Sequence, residues 1–272
     1  MSTTSRPTTT ATKIAVLSQK GGTGKTTAVR TLADALRRAG VRTLAIDLDP
    51  QGNLSDYFDL PPEVAPTIAD VLAGRATAAE AIHEDVIPAN LSLAETELML
   101  GGKLGREMTL RRALEALPAD AYELVLIDCP PSLGLLTVNA LVAADRALVT
   151  AEAQYFALQG VEQAMEVIEL ARDSLNPDLR LLGVLLNLAD MRTVHSREAL
   201  ASLRERYGEQ VFDTPVRASI AYAESAERAV SILDHRPDLG ADYVALAQDA
   251  LARLGGFERA RTRMAEAARS QP

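Results

Sequence analysis

A short apolar run, a glycine-rich loop and an amphipathic stretch follow one another near the start of the chain. Residues 13–18 (KIAVLS) are typical of a buried strand, residues 20–27 (KGGTGKTT) form the loop, and residues 26–39 predict a helix that ends at Gly40. Glycines let the backbone N–H groups of such a loop turn towards phosphate oxygens, and the helix that follows adds its partial positive charge. The order of strand, loop and helix therefore predicts a phosphate-binding loop.

The polar side chains of the loop have distinct expected roles. Lys25 is expected to reach the β- and γ-phosphates, Thr26 to bind Mg²⁺ and Thr27 to reach the α-phosphate, so ATP and Mg²⁺ are the expected ligands. The usual loop has glycine where this chain has Gln19, and a second lysine opens the loop instead. The nucleotide-binding residues predicted from the loop are Lys20, Gly21, Gly22, Thr23, Gly24, Lys25, Thr26 and Thr27.

Two further apolar runs, residues 42–47 and 123–128, end in carboxylates. The carboxyl ends of strands in an open α/β sheet lie beside the ligand, so these acids are expected near the phosphate loop. Asp128 follows four apolar strand residues, as in a Walker B motif, and is expected to reach Mg²⁺. Of Asp47 and Asp49, one can serve the metal while the other orients the attacking water.

Strand-like and helical segments alternate along the chain, which predicts an α/β fold with a parallel sheet and helices on both faces. Residues 52–122 are harder to assign, with short helices at 68–73 and 108–117 and a further strand near 91–94. The five clear strands are predicted at 13–18, 42–47, 123–128, 146–151 and 181–187, and the longer helices at 26–39, 133–144, 158–175, 196–207 and 242–254.

Length and composition favour one domain. The 272 residues are 47% hydrophobic and contain no internal linker rich in proline, glycine or serine. We therefore expect a flexible N-terminal tail at 1–12, one domain at 13–254 and a C-terminal helix or tail at 255–272. The first residues have no apolar core, and no apolar run approaches the about 18 residues that a membrane span needs, so we expect a cytoplasmic protein.

Three motifs resemble the ParA/Soj-type partition ATPases, which form the deviant Walker A group of P-loop NTPases together with MinD and the nitrogenase iron protein. They are K-G-G-x-G-K-[ST] at residues 20–26, D-x-D-P-Q-G-N at 47–53, and E-A-Q-Y-F-A-L-Q-G at 152–160. The similarity extends over nearly all of residues 13–254. Nitrogenase-like reductases need two cysteines from each chain to hold their cluster. Cys129 is the only cysteine in this sequence, so this class of reductase is excluded.

The resemblance implies roles for four residues. Lys20 and Asp49 match the catalytic positions: the lysine crosses a dimer interface to phosphates bound by the partner, and the aspartate is the hydrolytic one. Asp47 then belongs to the outer shell of the metal. Glu152 matches a segment near the dimer interface, where it contacts the nucleotide of the partner.

Asn187 ends a strand where nucleotide-binding folds often place a contact to adenine, and a role as a strand-end turn residue explains it equally well. The family segment P-R-N-V-R-L-x-E-A, implicated in DNA contact, is replaced at residues 215–224. The candidates for DNA contact are therefore Arg192, Arg197, Arg217 and Arg228.

Charge is unevenly distributed along the chain. The net charge of −9 opposes a nucleic-acid partner, but residues 189–272 hold 12 basic and 13 acidic side chains, and 253–272 alone hold five and two. A solvated helical surface and a binding face explain these arginines equally well.

The resemblance predicts slow ATP hydrolysis, an ATP-dependent homodimer, sequence-independent binding to duplex DNA on the nucleoid, and stimulation by a ParB-like centromere-binding protein. The cargo stays open among chromosome, plasmid and protein complexes. The alternative is a MinD-like ATPase that acts on a membrane or a protein cargo, but the end of the chain, with Phe257, Met264 and alanines, has little apolar area for a bilayer.

Overall fold

In the part of the chain that the structure describes, six strands form a single sheet in which every pair of neighbours is parallel. The computed structural model describes residues 11–154 and 156–269. The strands are β1 (Thr12–Leu17), β2 (Thr43–Asp47), β3 (Val86–Ile87), β4 (Leu124–Asp128), β5 (Arg146–Glu152) and β6 (Arg180–Asn187), in the spatial order β3-β2-β4-β1-β5-β6.

Helices surround the sheet, as the sequence predicts, and the predicted fold class is confirmed. The phosphate loop connects β1 to the first helix. The helices are α1 (Lys25–Arg38), α2 (Asn53–Tyr57), α3 (Ile68–Ala73), α4 (Ser92–Leu100), α5 (Thr109–Glu115), α6 (Leu135–Ala143), α7 (Ala157–Ser174), α8 (Val194–Tyr207), α9 (Ala221–Glu227), α10 (Ile232–His235), α11 (Pro237–Leu254) and α12 (Glu258–Arg269).

The central strand β1 is buried on both faces. Ala15 and Leu17 belong to one hydrophobic core, and Ile14 and Val16 belong to the other. This division follows from the two-residue period of a strand, because successive side chains point to opposite faces of the sheet. Helices α3 to α8 cover the first core, and α1, α11 and α12 cover the second.

The sixth strand is not where the sequence suggested. Residues near 91–94 were expected to form a strand, but Ser92 begins α4, and the edge strand is the two-residue β3. The expectation of a strand there was therefore wrong. The prediction at 68–73 matches α3 at both ends, since Thr67 and Asp70 form a capping box at its start and Gly74 ends it in the left-handed region.

The end of the described chain is a helix that packs on the domain. In α12, Ala260 and Met264 are 6% and 4% exposed and lie in the second core. Residues 1–10 of the predicted N-terminal tail lie outside the described residues. No helix in the described part of the chain is long and apolar enough to cross a membrane.

The sheet register brings two of the predicted acids together. Asp47 at the end of β2 pairs with Asp128 at the end of β4, and Asp128 also pairs with Val16 of β1. The phosphate loop begins just after β1, so both carboxylates lie at the same edge of the sheet as the loop. This is the edge where open α/β sheets bind ligands.

Candidate nucleotide-binding site

The phosphate loop depends on glycine at two positions. Gly22 and Gly24 both have φ near 78°, in the left-handed region that side chains with a Cβ rarely adopt. A Cβ on Gly24 would also lie 2.3 Å from Nδ2 of Asn187. The loop can therefore take this path only because both residues are glycine.

Lys25 is the first residue of α1 and is only 7% exposed. Its ammonium group donates to Oγ of Ser18 at 3.0 Å. Burial lowers the pKa of Lys25, and the charge of Asp128 opposes that shift. A buried ammonium without a full counter-ion favours an anionic ligand, which fits the predicted role towards phosphate.

Thr23 is 4% exposed, and its hydroxyl points into the fold. It donates to Oγ of Ser18 at 2.9 Å and shares a 3.0 Å hydrogen bond with Thr150 of β5. The side chain of Thr23 thus fixes the loop to the sheet. Only the backbone N–H of Thr23 is then available for its predicted contact to the nucleotide.

Asn187 supports the loop from behind. Its amide nitrogen donates to the carbonyl oxygens of Thr23 and Gly24 at 2.9 and 3.3 Å, and its oxygen accepts from the backbone N–H of Leu188. Because the residue is 1% exposed, its polar atoms serve the protein rather than solvent. The structure therefore gives Asn187 a positioning role, while the predicted contact to adenine stays a prediction.

Thr26 and Asp128 form the candidate metal site. The hydroxyl of Thr26 donates to Oδ2 of Asp128 at 2.7 Å, while the buried Oδ1 has no hydrogen-bond partner. Burial, reinforced by the charge of Asp47, raises the pKa of Asp128 to about 8. An unpartnered carboxylate oxygen beside a hydroxyl fits Mg²⁺, which prefers oxygen ligands and keeps several waters. Within the described residues no three His, Cys, Asp or Glu side chains could hold a metal ion by themselves.

Asp47, also predicted for the metal, has both oxygens occupied by the protein. Oδ1 accepts from the N–H of Asp49 at 3.1 Å, and Oδ2 accepts from the N–H and hydroxyl of Ser55 at 2.9 and 2.8 Å. Burial raises its pKa to about 6. Ser55 also accepts from the N–H of Ala89. Asp47 therefore holds the segment that carries Asp49, and Thr26 and Asp128 are the better metal candidates.

A cleft of about 870 Å³ opens in front of the loop, a volume within the range of small-molecule sites. Lys25, Thr26 and Asp49 line it, so the structure brings these predicted residues together. Further lining comes from residues after β6 and around α9, which were not predicted to bind nucleotide. They are Leu188, Ser219, Tyr222, Ala223, Ala226, Glu227 and Ala229.

Lys20 lies at the mouth of the loop with 66% of its side chain exposed. Its ammonium group is 3.8 Å from a carboxylate oxygen of Glu152 at the end of β5. The other oxygen of Glu152 accepts from Nε2 of Gln154 at 2.5 Å. Lys20 and Glu152, both predicted to act across a dimer interface, thus contact each other within one chain.

Comparison with known proteins agrees with this geometry. A family profile described as an AAA domain matches residues 11–181. The chromosome partitioning protein ParA of Caulobacter vibrioides is 40% identical over 250 residues, covering 88% of this chain and 94% of that protein. The chromosome-partitioning ATPase Soj of Thermus thermophilus is 38% identical over 247 residues, covering 89% and 96%.

The chain belongs to the ParA/Soj family of partition ATPases. A solved structure of the same fold is described as cobyrinic acid a,c-diamide synthase from Mycobacterium smegmatis with a bound ATP analogue and magnesium. It is 38% identical, with a TM-score of 0.73, and the match covers 83% of this chain and 95% of that one.

Two of the four candidate DNA-contacting arginines of this ParA-family chain are engaged with acids. Arg192 holds Asp190 through two hydrogen bonds of 2.9 Å, and Arg217 holds Asp242 through bonds of 2.8 and 3.0 Å. Arg217 also donates to the carbonyl of Asp238. Their positive charge is thereby largely offset.

The other two candidates differ from this pair. Arg197 donates to the carbonyls of Met191 and Arg192. Among the described residues, Arg228 is exposed and its side chain has no ion pair. The structure thus does not gather the four candidates into one free basic surface.

Proposed function

We propose that this protein is a slow ATP hydrolase that closes into a homodimer with two ATP molecules between the chains. The observation that carries the proposal is the contrast between its two loop lysines. Lys25 is buried and lines the cleft, while Lys20 is largely exposed and does not line it. A lysine that does not line the site of its own chain is available to a nucleotide held by a second chain.

Within one chain, the loop and its supports bind the phosphates. Backbone N–H groups of residues 21–27 and the ammonium group of Lys25 meet the phosphate oxygens. Thr26 and Asp128 would hold Mg²⁺, which neutralises charge on the phosphates when it is bound. Glu152 is proposed to contact the nucleotide of the partner, as the family resemblance implies.

Asp49 is proposed to orient the attacking water. It is partly exposed and lines the cleft, and one of its oxygens accepts from the N–H of Gln51 at 3.0 Å. Asp47 and Ser55 fix the backbone on both sides of it. Lys20 from the other chain would supply the charge that stabilises the transferring phosphoryl group. Hydrolysis is slow until a partner completes the site.

The relatives that are named for chromosome partitioning support a role in moving DNA. We propose that the ATP-bound dimer binds duplex DNA without sequence preference, on the nucleoid in the cytoplasm, because two chains present their basic residues together. A ParB-like centromere-binding protein is the proposed stimulating partner. Chromosome or plasmid segregation would follow from this cycle.

Light scattering and DNA binding on the same sample test the proposal. The full chain is incubated with Mg²⁺ and a slowly hydrolysed ATP analogue, with ADP, or without nucleotide. We expect a dimer and DNA binding with the analogue alone. A chain that stays monomeric with the analogue, or that binds DNA equally in all three states, would contradict the proposed cycle.

A further inference from the structure

The C-terminal helix α12 is attached to the domain by one side. Ala260 and Met264, one turn apart, are buried in the second core together with residues of α1 and α11. Arg263 adds a hydrogen bond from its guanidinium group to the carbonyl of Ala39, at the end of α1. These contacts fix the orientation of the helix, and its other side faces solvent.

The helix α12 carries a net positive charge. It contains four arginines and two glutamates, Glu258 and Glu266. Three of the arginines are exposed and have no ion pair or side-chain hydrogen bond in the described part of the chain. They are Arg259, Arg261 and Arg269. In contrast to Arg192 and Arg217, none of the three forms an ion pair with an acid of the described residues, so each can contact an anionic partner.

Arg228 extends this feature. It follows α9, which packs through α10 on α11, and α11 in turn packs on α12. Arg228 and the arginines of α12 thus belong to helices that pack one on the next. Unlike Arg192 and Arg217, Arg228 and the three exposed arginines of α12 form no ion pair within the described residues.

The packing of α12 favours DNA over a membrane as the partner. Met264 is buried, and Phe257 packs partly buried against the second core, so no large apolar side chain of this segment remains to enter a bilayer. Guanidinium groups match phosphate oxygens in geometry and charge. An arginine-rich face without large apolar residues is suited to the sugar-phosphate backbone, which carries no sequence information.

We propose that the outer face of α12, through Arg259, Arg261 and Arg269, binds the phosphate backbone of duplex DNA. The inference rests on the proposed function, because it names the surface by which the ATP-bound dimer holds DNA. Dimer formation presents two copies of the helix, so the number of phosphate contacts doubles. Binding therefore responds to nucleotide even though α12 is far in sequence from the phosphate loop.

A triple variant tests the proposal. R259Q/R261Q/R269Q removes three charges and keeps helix-forming side chains that are exposed in the structure. The matched control R75Q/R111Q/R172Q removes three charges from ion-paired arginines elsewhere on the surface. Both full-length variants and the wild type are titrated onto a random-sequence duplex with Mg²⁺ and the ATP analogue, at about 50 to 200 mM salt.

We expect the α12 variant to bind DNA more weakly than the control. The slope of log affinity against log salt should become shallower by about 0.9 for each phosphate that is no longer neutralised, or about 2.7 for three phosphates in one chain and about 5.4 when both chains of the dimer contact the DNA. Its melting temperature, its analogue-dependent dimer and its ATP hydrolysis without DNA should match those of the wild type. If both variants bound DNA equally weakly, the loss of net charge alone would explain the result, and the proposal would be wrong.

The outcomes separate the inference from the function on which it rests. If the wild type binds DNA with the analogue and the α12 variant binds with the same affinity and slope, the inference is wrong and the proposed function stands. If the wild type binds DNA in no nucleotide state, both are wrong. Wild-type binding to vesicles of phosphatidylglycerol, but not to DNA, would assign the arginines to anionic lipid and overturn the inference.

Discussion

The ammonium group of Lys20 lies 3.8 Å from the carboxylate of Glu152 in the same chain. With two thirds of the Lys20 side chain exposed, this pair is solvent-screened and weak. The contact holds the Lys20 side chain in one position in the single chain, and breaking it costs little free energy. Closing of the proposed dimer would replace this contact by contacts to the nucleotide of the second chain.

Lys20→Ala should separate ATP binding from dimer formation. The variant should bind ATP as a monomer, because Lys25 and the loop backbone are intact, and should lose the analogue-dependent dimer. Hydrolysis should fall by about 10³- to 10⁵-fold, the range found for arginine fingers supplied in trans. Size-exclusion chromatography and a fluorescent-nucleotide titration measure the two properties.

Two comparisons make that result specific. Lys25→Ala should weaken ATP binding itself by about 10- to 100-fold, because a charge-assisted bond to phosphate is removed. Glu152→Gln removes the resting partner of Lys20 while leaving the lysine in place. A Lys20→Ala chain that still forms the full dimer would exclude a contact in trans.

Asp49→Ala should trap the ATP-bound state. Positioning of the water matters in the transition state and little in the ground state, so affinity for ATP should be unchanged while turnover falls by about 10²- to 10⁴-fold. The dimer should then persist after ATP is added. Single-turnover hydrolysis with parallel light scattering measures both effects. Hydrolysis at the wild-type rate would remove Asp49 from the mechanism.

The parts of the site that are local in sequence could be predicted. Lys25 and Thr26 follow from the order of strand, loop and helix, and Asp128 follows from its place after a buried strand. Their positions at one edge of the sheet then follow from parallel strand geometry. The expectation placed Asp47 beside the metal for the same reason, and its location at the strand end is indeed as expected.

What the sequence could not show depends on contacts between distant residues. Asp47 is occupied by Ser55, which also bonds to Ala89, and no pattern relates these three positions. Asn187 meets the loop 163 residues away in sequence. The edge strand Val86–Ile87 has two residues, too few for a period of two to be recognised.

Arg217 should act on stability rather than on DNA directly. Its two hydrogen bonds to Asp242 connect the segment after β6 to α11. About half of the Arg217 side chain is exposed, so solvent screens this ion pair. We therefore expect Arg217→Gln to lower the free energy of unfolding by about 0.5 to 1 kcal/mol. Asp242→Asn should cause a similar loss. Urea denaturation of both variants measures it, and a double variant should show that the two effects are not additive. Loss of DNA binding in Arg217→Gln alone would assign this arginine to DNA after all.

Asp128→Asn should make the nucleotide-free protein more stable and the nucleotide-bound protein less so. Burial raises the pKa of Asp128 to about 8, above the value of 3.8 for an exposed group, so the folded state resists ionisation that the unfolded state accepts. The wild type therefore loses stability relative to the variant as pH rises from about 4 to 8, and below pH 4 the difference vanishes.

The expected gain in stability from Asp128→Asn at pH 8 is on the order of 1 to 3 kcal/mol, because an isosteric amide removes a buried charge that has one oxygen without a partner. With Mg²⁺ and ATP the order should reverse, since the amide oxygen is a poorer ligand for the metal than a carboxylate. Thermal denaturation of both proteins at pH 5 and pH 8, with and without Mg²⁺ and the ATP analogue, gives the difference in stability under these four conditions. A variant that is less stable than the wild type without nucleotide at pH 8 would show that Asp128 is held by contacts to the protein, and the assignment of its free oxygen to the metal would be wrong.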